Sequence, residues 1–179
     1  MIKKISFIGH ILILFAIAYP ISSFVAYKKS DYQKEIILNE KLETQEYFAI
    51  LQIDKIELKA ELFPKNSQEN QVDKNIFIHS LSTFPGDTTS NLILASHSGN
   101  GKNAYFQNLY KLNVNDEVML YYNNTLWIYE IKEIEYQDKT GKLYIKEDYE
   151  EMITLITCTK NDSTKQTIYY AALKNSQKL

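Results

Sequence analysis

The sequence predicts a mostly β fold, a barrel or sandwich with short helices, preceded by an amino-terminal transmembrane helix. Two textures carry that expectation. From Tyr47 onward, short runs rich in Ile, Leu, Val, Tyr and Phe alternate with polar turns, and long stretches of helical period are scarce. Ahead of them, Ile5 to Tyr27 is predominantly apolar and carries no charge.

That first run is interrupted only by Ser6, Gly9, His10, Pro20, Ser22 and Ser23. At about 1.5 Å per residue, a helix this long covers a hydrocarbon core of about 30 Å. Lys3 and Lys4 before it favour a cytoplasmic amino terminus and an extracytoplasmic domain, although Lys28 and Lys29 weigh the other way. Ala16-Ile17-Ala18 has the small-x-small form of a signal-peptide cleavage site. Against cleavage, the apolar run continues through Ile21, Phe24, Val25 and Ala26, and Pro20 sits close behind the cut. Residues 1–29 therefore read as a cytoplasmic tip and an uncleaved single-pass anchor in the cell membrane. Residues 30–46, with Ser30 as a helix cap and Ile36, Ile37 and Leu42 along it, read as a membrane-proximal helical spacer.

Residues 47–179 form the exported domain. Its strand-like runs are Phe48 to Ile53, Leu58 to Phe63, Asn91 to Ser96, Glu117 to Tyr122, Thr125 to Glu133, Met152 to Thr157 and Thr167 to Leu173. Asn123-Asn124 between two of them suits a two-residue hairpin turn, because Asn tolerates positive φ. A short helix is expected over Ala104 to Leu109, where Phe106 and Leu109 share a face.

The chain has 179 residues, 45% hydrophobic and 23% charged, which suits one folded domain plus a modest appendage. Its formal net charge of -2 gives no reason to expect nucleic acid as a partner. All 20 basic residues are lysine. The single cysteine excludes an intramolecular disulfide. It is either a small buried hydrophobe or a thiol with chemistry to perform.

Two segments each deliver a reactive side chain at the end of an apolar strand. Asn91-Leu92-Ile93-Leu94-Ala95-Ser96 leads to His97 and a glycine-containing loop, and Thr154-Leu155-Ile156-Thr157 ends on Cys158. Strand ends are rigid mounts that open onto loops. A thiol needs a base or a cationic neighbour to act as a thiolate, and imidazole serves as either. The bland alternative is a loop histidine bonded to local backbone and a core cysteine. His79 and His97 have no third ligand at a compact spacing, so neither a metal nor a cofactor is expected.

The string Thr154-Leu155-Ile156-Thr157-Cys158 resembles the Thr-Leu-x-Thr-Cys signature of the sortase transpeptidases. Asn91 to His97 resembles their Asn-x-x-x-Ala-Gly-His segment, with Ser96 in place of glycine. His79 with Phe84-Pro85-Gly86 is similar to the family's His…Pro-Gly stretch. Ile53-x-x-Ile56 is similar to its opening Ile-Pro-x-Ile, with Asp54 for proline. Phe106-x-x-Leu109, Leu112 and Asp116 fit the segment before the next strand.

The resemblance covers nearly the whole exported part and implies a sortase-like β-barrel. It implies that Cys158 forms a thioacyl intermediate with an exported protein's carboxy-terminal sorting signal, and that His97 moves the protons. The acceptor it implies is a peptidoglycan-precursor or pilin amine. Thr157, Ser96 and His79 are the implied substrate-side residues; each also has an ordinary structural reading. Some sortases bind calcium through loop carboxylates, but the run Glu147, Asp148, Glu150, Glu151 reads first as a solvated face.

The family's arginine, on the strand after the cysteine, has no counterpart here. Gln166 falls at its position, flanked by Lys165 and Thr167. Glutamine brings neither charge nor a bidentate fork, and Lys165 points to the opposite face of a regular strand. Three outcomes stay open: a one-residue slip that lets Lys165 serve, a glutamine-based site with altered chemistry, or a weakened or inactive relative that binds sorting signals or only hydrolyses. Short reaches before and after the cysteine strand, and no lid motif, resemble class A, D or E rather than class B members. A sorting signal similar to Leu-Pro-x-Thr-Gly is then implied.

Overall fold

A computed structural model describes residues 47–87, 89–141 and 143–179. The expected anchor over 1–29 and spacer over 30–46 lie outside these residues. Among the described residues, no helix is long and apolar enough to cross a membrane.

The domain is mostly β: one eight-stranded, barrel-like, nearly closed sheet in the order β2-β1-β5-β6-β8-β7-β4-β3. The strands are β1 (Ala49–Ile53), β2 (Leu58–Leu62), β3 (Phe77–Ile78), β4 (Ser90–Ala95), β5 (Glu117–Tyr122), β6 (Thr125–Asp138), β7 (Glu151–Cys158) and β8 (Lys165–Lys178). All neighbours pair antiparallel except β4 and β7, which run parallel with Ala95 opposite Ile156.

Strand parity explains why β4, β7 and β8 read as unbroken apolar runs. Leu92, Leu94, Ile153, Leu155, Tyr169 and Ala171 face the main core. Ile93, Met152, Ile156, Ile168 and Tyr170 face the other way, into a second cluster capped by Leu143 and Ile145 from the β6–β7 connection. Strands covered on both faces need no polar alternation. Each fully buried Leu or Ile contributes about 1.5–3 kcal/mol relative to exposure.

β5 and β6 are joined through Asn123 (φ 51) and Asn124 (φ 55), the two positive φ values that a tight hairpin of matched twist requires. In the Phe84-Pro85-Gly86-Asp87 turn, Asp87 N–H donates to the Phe84 carbonyl, and Gly86 takes φ 96. That is the type II pattern, with proline first and glycine second.

Two expectations need correcting. The helix over Ala104 to Leu109 does not form; a 3-10 turn covers Leu109–Lys111 instead. Its bonds run from Ala104 to Gly101, Gln107 to Ala104, Leu109 to Phe106 and Leu112 to Leu109, all with a three-residue reach. Phe106 and Leu109 are buried three residues apart, so successive tight turns satisfy them without an α-helix. β6 and β8 run well past Glu133 and Leu173, because they pair along their lengths with register shifts at Ile128/Tyr129 and Ile131/Glu133. The two-residue β3 was not anticipated; it is too short to carry a periodic signal.

Candidate active site

β4 and β7 are adjacent, and their carboxy-terminal ends are laced together. Ser96 N–H donates to the Ile156 carbonyl at 3.3 Å, and Thr157 Oγ1 donates to the Ser96 carbonyl at 2.8 Å. One residue further, His97 and Cys158 open onto the same cleft of about 410 Å³, with Asp73 and Asn103 on its wall. Cys158 is half-buried, so its sulfur is within reach of a ligand in the cleft.

His97 Nε2 lies 2.9 Å from Asp73 Oδ1. Asp73 is itself held by its backbone, since Asn103 Nδ2 donates to the Asp73 carbonyl at 2.5 Å. Phe106 N–H in turn bonds the His97 carbonyl, which ties the histidine loop to the turns that follow. Ser96 is buried and its hydroxyl donates to the Asn103 carbonyl at 3.4 Å. The Thr157 hydroxyl joins the two strand ends, as described above.

The antiparallel register of β7 and β8 places Gln166 directly opposite Cys158, and that of β8 and β6 places Gln137 opposite Gln166. Directly paired residues share a face, so the three side chains form one row. The Gln166 amide donates to Gln137 Oε1 at 3.4 Å. Lys165 is one position off this row and pairs with Asp138. The cation at the sulfur is Lys139, whose Nζ donates to Cys158 Sγ at 3.0 Å.

On the other side of Cys158 lie Tyr110, Lys160 and Tyr169. The Lys160 ammonium sits 3.3 Å over the Tyr110 ring and holds the Tyr110 hydroxyl below its usual range. Burial, with a smaller contribution from Tyr136, pushes the Tyr169 phenol up to about 12.

A groove that starts beside Lys139 and Gln166 runs along the outer face of β4 and β7. Its floor is Ile93, Ala95, Ile156 and Leu143, with His79 and Gln166 at its sides. His79 Nδ1 accepts from the Leu81 N–H at 3.2 Å, which fixes the ring. The groove widens into a cleft of about 850 Å³ beside Leu81, Tyr144 and Tyr149, with Glu147, Asp148 and Glu150 on its margin. Among the described residues, no three His, Cys, Asp or Glu side chains group closely enough to hold a metal ion.

A sortase-domain family model matches residues 51–174. The chain belongs to the sortase family. Sortases are cysteine transpeptidases, and the sole cysteine of this one ends β7. Among solved structures it is similar to a Clostridium perfringens sortase D5 transpeptidase, 26% identical over 79% of this chain and 89% of that one, with a TM-score of 0.59. It shares its fold with Listeria monocytogenes sortase A (21% identical, 75% and 92% covered, TM-score 0.60). The same holds for Streptomyces coelicolor sortase E1 (18% identical, 74% and 91% covered, TM-score 0.58). No curated protein matches this sortase by sequence.

Asp73 and Lys139 are the two site residues that sequence reasoning missed. Asp73 lies in an irregular stretch with no periodic pattern. Lys139 had a signal: Gln137 and Lys139 are two apart, so they share a face once β6 is carried beyond Glu133.

Proposed function

We propose that this sortase is a membrane-anchored transpeptidase, with Cys158 as nucleophile and His97 as acid and base. Its substrate is an exported protein with a carboxy-terminal signal similar to Leu-Pro-x-Thr-Gly, and its acceptor is a peptidoglycan-precursor or pilin amine. One observation carries the reading: His97 and Cys158, 61 residues apart in sequence, open onto one cleft at the laced ends of β4 and β7.

In the first half-reaction the Cys158 sulfur bonds the scissile carbonyl carbon, and the carbonyl pair moves onto oxygen. On collapse the C–N bond breaks, and His97 gives the departing amine its proton. In the second, an incoming amine attacks the thioester, loses a proton to His97, and the C–S bond breaks to return the sulfur. The apolar groove through Ile93, Ala95, Leu143 and Ile156 suits an extended peptide with small apolar residues ahead of the scissile bond. The Ile5 to Tyr27 run supports the anchor.

The full chain in detergent is expected to cleave a sorting-signal peptide, and an added amine is expected to divert product from hydrolysis to ligation. Cys158→Ala must abolish both. Cleavage that survives this substitution rules the reading out, whereas cleavage that never becomes ligation reduces the protein to a hydrolase.

A further inference from the structure

We propose that Lys139 is a catalytic residue that brings to Cys158 the positive charge that Gln166 lacks. Its ammonium stabilises the sulfur when that atom carries negative charge, and the oxyanion formed when the sulfur attacks. The second half of this statement rests on the transpeptidase reading; the first does not.

The position follows from the sheet. Cys158 on β7, Gln166 on β8 and Gln137 on β6 form one cross-strand row, and Lys139 follows Gln137 by two residues on the same face. The chain beyond β6 is clamped, because Lys139 N–H donates to the Thr164 carbonyl at 2.8 Å. The side chain thus reaches the sulfur from an anchored backbone, with Nζ 3.0 Å from Sγ. Among the described residues, the Lys139 ammonium makes no ion pair, and its hydrogen bond is to the sulfur.

Among the described residues no other lysine bonds the sulfur, although Lys102 lines the cleft it shares with His97. Lys160 lies over the Tyr110 ring, and Lys165 stands opposite Asp138 in the strand register, one position off the row. The Gln166 amide donates to Gln137. When the sulfur bonds the carbonyl carbon, the oxygen that receives the electron pair lies next to it, within reach of the same ammonium. A lysine ammonium is a point charge rather than a planar fork, so it supplies charge without bidentate geometry.

Lys139 is exposed, so replacing it leaves the core intact. Because Cys158 is the only cysteine, alkylation of the full chain in detergent reports this sulfur alone. We would compare iodoacetate, which is anionic, with iodoacetamide, which is neutral. The ratio of the two rates is expected to fall about fivefold in Lys139→Met, the effect of one unit charge about 4 Å away in water, and to stay near wild type in Lys139→Arg. With a sorting-signal peptide, Lys139→Met is expected to lose about a hundredfold in kcat with KM little changed, and Lys139→Arg to recover most of it.

An unchanged alkylation ratio in Lys139→Met overturns the proposal, as does full kcat in that variant. So does an acyl group found on Lys139 itself, which would make it an acceptor. A wild-type chain that never cleaves the peptide, yet shows the fivefold ratio change, sinks the transpeptidase reading and leaves Lys139 as the charge partner of the sulfur.

Discussion

Thr157 Oγ1 donates a 2.8 Å hydrogen bond to the carbonyl of Ser96, joining the ends of the two strands that lead to Cys158 and His97. Both residues are buried, so the carbonyl has no ready substitute donor. Thr157→Val keeps the shape and removes the hydroxyl. It is expected to cost about 1–3 kcal/mol, the range for leaving a buried acceptor unpaired. Urea denaturation should show a lower midpoint with an unchanged slope, and Thr157→Ser should restore most of it. A wild-type midpoint in Thr157→Val would show that the bond contributes nothing.

The Asp73 carboxylate and His97 ring are 2.9 Å apart, but both are largely exposed, at 85% and 48% of their side-chain surface. Exposed pairs are worth at most about 1 kcal/mol. Asp73→Asn should therefore slow peptide turnover by no more than about fivefold, with the deficit shrinking in high salt. A hundredfold loss in steady-state assays would mean that the carboxylate acts in the chemistry rather than as an orienting neighbour.

Acid sensitivity is expected at Asp116. Burial works against its charge, but the Lys55 ammonium and the Asn113 N–H, each 2.6 Å away, prevail and hold the carboxyl below its usual range. A lowered folded value means the unfolded chain binds the proton more readily. The stabilisation is thus complete above about pH 4, the unfolded carboxylate range, and is lost as pH falls through the folded value. Urea melts of wild type and Asp116→Asn should differ at pH 7 and converge toward pH 3. A gap that widens on acidification contradicts the sign.

The hairpin at Asn123-Asn124 offers a test confined to the backbone. Asn124 sits at φ 55, where a β-branched side chain is strained by roughly 1–2 kcal/mol. Asn124→Val should lower the thermal midpoint and Asn124→Gly should hold or raise it. Equal midpoints for the two would show that the turn has re-formed in another geometry.

The sequence announced His97 and Cys158 because each follows an apolar run in a local string with a recognisable order. It announced the Asn123-Asn124 hairpin because turn chemistry is local. Asp73 was hidden because its approach to His97 spans 24 residues of irregular chain. Lys139 was hidden by a misplaced strand end. Glu135 and Gln137 alternate with Ile134 and Tyr136 in β6, but the expected strand ended at Glu133. Helix period failed at Ala104 to Leu109, since a spacing of three fits a run of tight turns as well as it fits an α-helix.

The parallel pairing of β4 with β7 has a consequence for timing. Contacts between segments so distant in the chain close late, after the loop entropy of the intervening residues has been overcome. Cys158 and His97 therefore come to line one cleft only once β7 has docked on β4. A nascent chain that stops short of β7 carries His97 but neither Cys158 nor the cleft the two residues line.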